Sequence, residues 1–204
     1  MRHFLAATLF GATLLVPAAA GAFEGDPAKG QGLATSVCAA CHGPDGNSPL
    51  PVNPSLAGQI PEYLYKQLRD FKSGARKNAV MSGMVATLSD EDMRNVAAYF
   101  AAQKAQPGVA RDATLANAGQ TVYRAGNASA GLPACSGCHS PNGVGIPAQF
   151  PRLKGQHLDY TLAQLKAFRA GERDNDPSGM MRTIAARMSD QEIAAVAEFI
   201  SGLN

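Results

Sequence analysis

"CAACHGPDGNS", residues 38–48, holds two cysteines separated by two residues, a histidine directly after the second, and a glycine-rich tail. A second copy, "CSGCHSPNGVG", stands at residues 135–145. Cys38, Cys41 and His42 therefore reappear 97 positions later as Cys135, Cys138 and His139. The same offset lays Pro54 on Pro151, Gln59 on Gln156, Tyr63 on Tyr160, Gln67 on Gln164, Phe71 on Phe168 and Gly74 on Gly171. Three residues are then inserted and the offset becomes 100, which matches Met81 with Met181, Ser89 with Ser189 and Val96 with Val196. Self-similarity of this kind marks one structural unit built twice.

The chain has 204 residues. Met1-Arg2-His3 is a short basic start, Phe4 to Val16 an apolar run, and Ala20-Gly21-Ala22 a set of small residues suited to a signal peptidase. The run is too short to cross a bilayer, so residues 1–22 read as a cleaved secretory signal peptide. The remaining roughly 180 residues suit one medium domain or two small ones. Lys and Arg number 18 against 16 Asp and Glu, and no basic block carries interleaved aromatics, which argues against a nucleic-acid partner.

Export into an oxidising compartment would allow two structural disulfides. That reading leaves the two following histidines unexplained. Zinc sites of the Cys-x-x-Cys type place their second pair about 15–20 residues on, whereas here the pairs fall in separate repeats. A disulfide-exchange pair needs a preceding strand and a βαβ setting, and neither is visible. Covalent haem attachment uses every residue. Two thiols add to the two vinyl groups on one porphyrin edge, and the adjacent histidine becomes the proximal iron ligand. Two copies at matched positions predict two c-type haems, held by Cys38 and Cys41 with His42, and by Cys135 and Cys138 with His139.

The rest of each half reads as helical, so the fold class is all-α. Helices are expected over about 27–37 and 113–124, ahead of each cysteine pair. A middle helix starts near Pro61, where the first turn has no use for an amide, and stops at Gly74. The last helix opens with a capping box in both copies, Ser89-x-x-Asp92 and Ser189-x-x-Glu192. Residues 103–111, with Pro107-Gly108, form the natural linker, giving domains at 23–106 and 107–204. Each half has little apolar core of its own, and a flat apolar cofactor at its centre would complete one.

These motifs carry a resemblance. Each half resembles a small class I cytochrome c, and the whole exported chain resembles the dihaem cytochrome c4 family. The resemblance implies two tandem domains related by approximate two-fold symmetry, packed face to face. It also implies that the carbonyls of Pro54 and Pro151 orient His42 and His139, bonds that raise ligand basicity.

An electron carrier closes the sixth iron position, commonly with methionine. Met81 and Met181 occupy the same place in the two repeats, whereas Met84, Met93, Met180 and Met188 face Ile184, Ile193, Val80 and Leu88. Met81 and Met181 are therefore the expected axial ligands, and the other four read as core or loop residues. His157 faces Ile60 in the repeat and reads as a surface residue. Tyr63 and Tyr160, one helical turn from Gln67 and Gln164, read as packing near a haem edge.

Closed six-coordinate iron suits a carrier rather than an enzyme. The resemblance implies a soluble, monomeric, periplasmic protein that passes electrons from a quinol-oxidising complex to a terminal oxidase, peripheral to those membrane complexes. The alternatives are a dihaem enzyme, such as a peroxidase or sulfur-compound oxidase, and a subunit of an oxidase complex.

Overall fold

The structure, a computed structural model, describes residues 23–203; the segment expected to be a signal peptide, 1–22, lies outside the described residues. Among the described residues the regular structure is helical, with only two isolated β-bridges, Asn127 with Leu132 and Ile146 with Phe150.

Local chemistry explains the helix ends. Asp26 caps α1 (Pro27–Leu33) by accepting from the amides of Ala28 and Lys29, a satisfying partner for amides that a first turn leaves free. The middle helix α3 (Pro61–Ser73) begins on proline and ends at Gly74, whose φ of 80° a side chain would resist. Its counterpart in the second half, α8 (Leu158–Ala170), ends at Gly171 with φ 71°. The capping boxes form in both copies. Ser89 accepts from Asp92 and opens α5 (Asp90–Ala102), and Ser189 accepts from Glu192 and opens α10 (Asp190–Gly202).

The first helix does not stop at residue 37 as the sequence suggests. It runs on through a π-helical turn, Ala34–Cys38, into α2 (Ala39–His42). A π turn rotates the side chains that follow relative to a regular helix, and here the residues that follow are the cysteines and histidine. In the second half the stretch is broken: α6 (Ala113–Ala125) ends at Gly126, the inserted loop follows, and a separate turn, α7 (Ser136–His139), carries the motif. Two further short helices, α4 (Ala79–Val85) and α9 (Met180–Ala185), carry the methionines.

Within each half the first and last helices cross, α1 on α5 and α6 on α10, and the middle helix packs on the last. The crossings are so close that a Cβ on Gly30 would lie 2.1 Å from the carbonyl oxygen of Asn95, and one on Gly119 would lie 1.9 Å from that of Ala195. Ala34, Leu64, Val96, Ala97 and Phe100 form one buried cluster behind the crossing, and Tyr123, Ile193, Val196 and Ile200 belong to its equivalent.

The halves meet through reciprocal bonds. Gln59 Nε2 donates to the Arg152 carbonyl at 2.9 Å, and the Arg152 amide donates back to Gln59 Oε1 at 2.8 Å. Gln156 makes the mirror pair with Ser55, donating to its carbonyl and accepting from its amide, both at 2.9 Å. Under the repeat, Gln59 corresponds to Gln156 and Ser55 to Arg152. Exchanging the halves maps one pair onto the other, which is the signature of an isologous, two-fold interface.

His157 departs from the expectation of a surface residue. It sits half-buried in this interface, with Nε2 2.9 Å from the Ser48 carbonyl. A carbonyl accepts only, so this nitrogen carries the proton.

Candidate functional site

Each Cys-x-x-Cys-His segment ends on a sharp reversal. Gly43, with φ 77°, follows His42, and Ser140, with φ 68°, follows His139. At Gly43 a Cβ would lie 2.5 Å from the Asn47 carbonyl oxygen, so the turn needs glycine for room as well as for φ. Ser140 holds the same backbone shape as a non-glycine residue. Its carbonyl accepts from the Tyr123 hydroxyl at 2.8 Å, and its own hydroxyl bonds Asn142 at 2.9 Å.

Both histidines are buried, 7% and 6% exposed. His42 Nδ1 lies 2.9 Å from the Pro54 carbonyl, and His139 Nδ1 lies 2.9 Å from the Pro151 carbonyl. The carbonyls accept, so both Nδ1 atoms carry protons and both Nε2 atoms keep a lone pair. Burial lowers the pKa of each ring, and the proline carbonyl opposes that only in part. Neutral imidazoles with Nε2 available have the right state for a metal ligand.

A single continuous cavity of about 640 Å³ joins the two halves. Cys38, Cys41, His42 and Met81 line it from one side, and Cys135, Cys138, His139 and Met181 from the other. Its walls include Leu68, Phe71, Leu165 and Phe168. None of the four cysteines is paired in a disulfide, and burial pushes the Cys38 and Cys135 thiols up to about 11. Among the described residues no group of three or more His, Cys, Asp or Glu side chains converges on a metal position, which leaves the zinc reading without a site.

The methionines separate by place. Met93 and Met188 are core residues at 4% exposure, and Met188 also borders the cavity from the core side. Met84 and Met180 are exposed at the cavity's rim. Met81 and Met181 are half-buried within the lining. The helix of Met81 is fixed by Asn78, whose Oδ1 accepts from the Met81 amide at 2.9 Å. The helix of Met181 is fixed differently, by Asp176, which accepts from the Arg182 amide at 3.0 Å and pairs with Arg182 Nε at 2.8 Å.

An apolar-walled cavity bearing two pairs of thiols, two neutral imidazoles and two thioethers matches two covalently attached haems. One orphan supports the fit. Thr161 Oγ1 is a buried oxygen with no protein partner, and Thr161 lines the cavity. A buried hydroxyl left without a bond is costly, so a polar group on the cavity's occupant has a place to bond there.

Sequence reading missed Arg76 and Arg173. They stand at the 97 offset, and that register was the signal that could have found them. Arg76 Nη2 bonds the Tyr160 hydroxyl at 3.0 Å and Gln164 Oε1 at 2.8 Å, both in the other half. Arg173 Nη2 bonds the Tyr63 hydroxyl at 3.0 Å and Gln67 Oε1 at 3.2 Å, again across the interface. The tyrosines and glutamines expected to pack within each half thus bind the two halves together.

Fold and site together define a helical c-type cytochrome with two haem-binding domains in tandem. Comparison with known proteins narrows the class. The cytochrome c family profile matches residues 27–104 and 116–204. The chain is 53% identical to cytochrome c4 of Thiocapsa roseopersicina, over 88% of this chain and 94% of that one. It superposes on the crystal structure of reduced recombinant cytochrome c4 from Pseudomonas stutzeri with a TM-score of 0.85 at 48% identity, covering 88% of this chain and 100% of that one. It is also 39% identical to the thiosulfate dehydrogenase electron acceptor of Thiomonas intermedia, over 98% of this chain and 91% of that one. The chain belongs to the cytochrome c4 family. It is a carrier of electrons with two c-type haems, not an enzyme.

Proposed function

We propose that the protein works in the periplasm, exported by a cleaved segment 1–22, and carries electrons from a quinol-oxidising complex to a terminal oxidase. Its domains span 23–106 and 107–204. Cys38, Cys41, Cys135 and Cys138 form the thioethers, His42 and Met81 are the axial ligands in the first domain, and His139 and Met181 are those in the second. Pro54 and Pro151 hold the histidine rings in place.

The observation that carries this reading is the matched pair of methionines. Met81 and Met181 are in repeat register and line the same cavity as the two histidines. The haem supplies an iron that alternates between ferrous and ferric states. The chain's part is to hold that iron closed. A neutral thioether favours the ferrous form and raises the potential, and a site already six-coordinate needs little rearrangement when an electron moves.

The likeness to the thiosulfate dehydrogenase electron acceptor supports a second donor, an enzyme that oxidises a sulfur compound and passes its electrons to this carrier. The two donors are told apart by reducing the purified ferric protein with quinol-oxidising membranes, and separately with a thiosulfate-oxidising dehydrogenase and its substrate. Fast reduction by the membranes and reoxidation by terminal oxidase is the expected result. Fast reduction by the dehydrogenase alone would replace the quinol-oxidising complex as donor.

A further inference from the structure

Arg76 and Arg173 are two cations sharing the same neutral acceptors. Gln67 Oε1 accepts from Arg76 Nη1 at 2.8 Å and from Arg173 Nη2 at 3.2 Å. Gln164 Oε1 accepts from Arg76 Nη2 and from Arg173 Nη1, both at 2.8 Å. The flat faces are covered in the same way, Arg76 over the Phe71 ring at 4.6 Å and Arg173 over the Phe168 ring at 4.4 Å. Arg173 is 8% exposed.

A buried cation ordinarily has an acidic partner. Here, among the described residues, no carboxylate bonds either guanidinium. Asp70 is taken by Lys66 and Asn175, and Asp176 bonds Arg182 while its charge reaches Arg173 only through space. The surplus of positive charge is felt nearby. Burial alone would push the Tyr63 hydroxyl up, yet Arg173 and then Arg76 hold it below its ordinary value. Both arginines line the cavity that the cysteines and histidines line.

We propose that Arg76 and Arg173 form one cationic clamp for the carboxylates of both haems, so that each arginine helps set the reduction potential of the haem in the opposite domain. This rests on the two-haem carrier reading above. A positive charge beside a haem disfavours the extra positive charge of the ferric state. Each arginine therefore raises both potentials, and the shared Gln67 and Gln164 place the two charges at one point between the domains.

The test uses the dihaem holoprotein and the variants R76Q, R173Q and R76K. Each potential is followed through that haem's own ferric methyl NMR signals, assigned by contacts with residues of its domain. R76Q, a change in the first domain, is expected to lower the potential of the haem in the second domain as well as its own. R173Q is expected to do the converse, so either variant serves if the other fails to take up haem. R76K keeps the charge without the planar fork and is expected to shift both potentials less than R76Q. A shift confined to the variant's own domain, or no shift at either haem, would overturn the clamp. Retention of the absorption of methionine-bound ferric iron in all three variants keeps the carrier reading intact whichever way the potentials go.

Discussion

Gln59 and Gln156 each reach across the domain interface and bond both the amide and the carbonyl of one residue on the other side, Arg152 and Ser55 respectively. Each side chain acts as one more strand of backbone, satisfying a donor and an acceptor that would otherwise be desolvated by the packing of the halves. Their own backbones stand next to the histidine-orienting loops that begin at Pro54 and Pro151. The interface and the two haem sites are thus built from the same short segments.

Substituting either glutamine by alanine leaves a half-buried amide and carbonyl unpaired, at a cost of about 1–3 kcal/mol to the interface. Q59A and Q156A should each lower the melting temperature of the holoprotein and speed proteolysis in the linker at 103–111, with little change in haem content. An unchanged cleavage rate in both variants would show that these bonds do not hold the domains together.

Replacing a thioether by an imidazole favours the ferric state. Met81→His and Met181→His should therefore each lower one of the two reduction potentials and leave the other close to native, as read by spectroelectrochemical titration. Absence of any shift in one variant would remove that methionine as a ligand.

The helix crossings leave no space for a methyl group at Gly30 or Gly119, where a Cβ would meet backbone rather than a movable side chain. Overpacking of this kind costs about 1–3 kcal/mol. Gly30→Ala and Gly119→Ala should each destabilise the holoprotein by that amount in denaturant titration. Gly32→Ala, where a Cβ meets nothing within 4 Å, should be neutral or slightly stabilising, since alanine is the better helix former.

What could be read from the chain was whatever repeats or is local. The Cys-x-x-Cys-His motifs, Pro61, Gly74 and the two capping boxes act within a few residues, and the repeat doubled each signal. The repeat also singled out Met81 and Met181 from six candidates. The helix that was expected to end at residue 37 continues because the attachment motif is itself helical, a continuity that no cap residue announces. Gly30 and Gly119 are not paired by the 97 offset because the loop at 126–133 shifts their register to 89.

His157 shows the limit of the repeat most clearly. Its counterpart, Ile60, suggested a plain surface position, but its partner Ser48 lies in the other half. Arg76 and Arg173 share that origin, since the bonds of Arg76 to Tyr160 and Gln164, and of Arg173 to Tyr63 and Gln67, each span more than 80 positions. Contacts between halves depend on how the halves dock: the repeat matches Arg76 with Arg173, but it does not show that either reaches across the interface.

The central claim is that both irons are closed by protein ligands and serve transfer of electrons alone. Carbon monoxide tests it most directly, because it binds ferrous haem only where the sixth position is open or readily freed. Added to the fully reduced dihaem protein at neutral pH without denaturant, it should leave the visible spectrum of both haems unchanged. Ready formation of a carbon monoxide adduct at either haem would contradict the account.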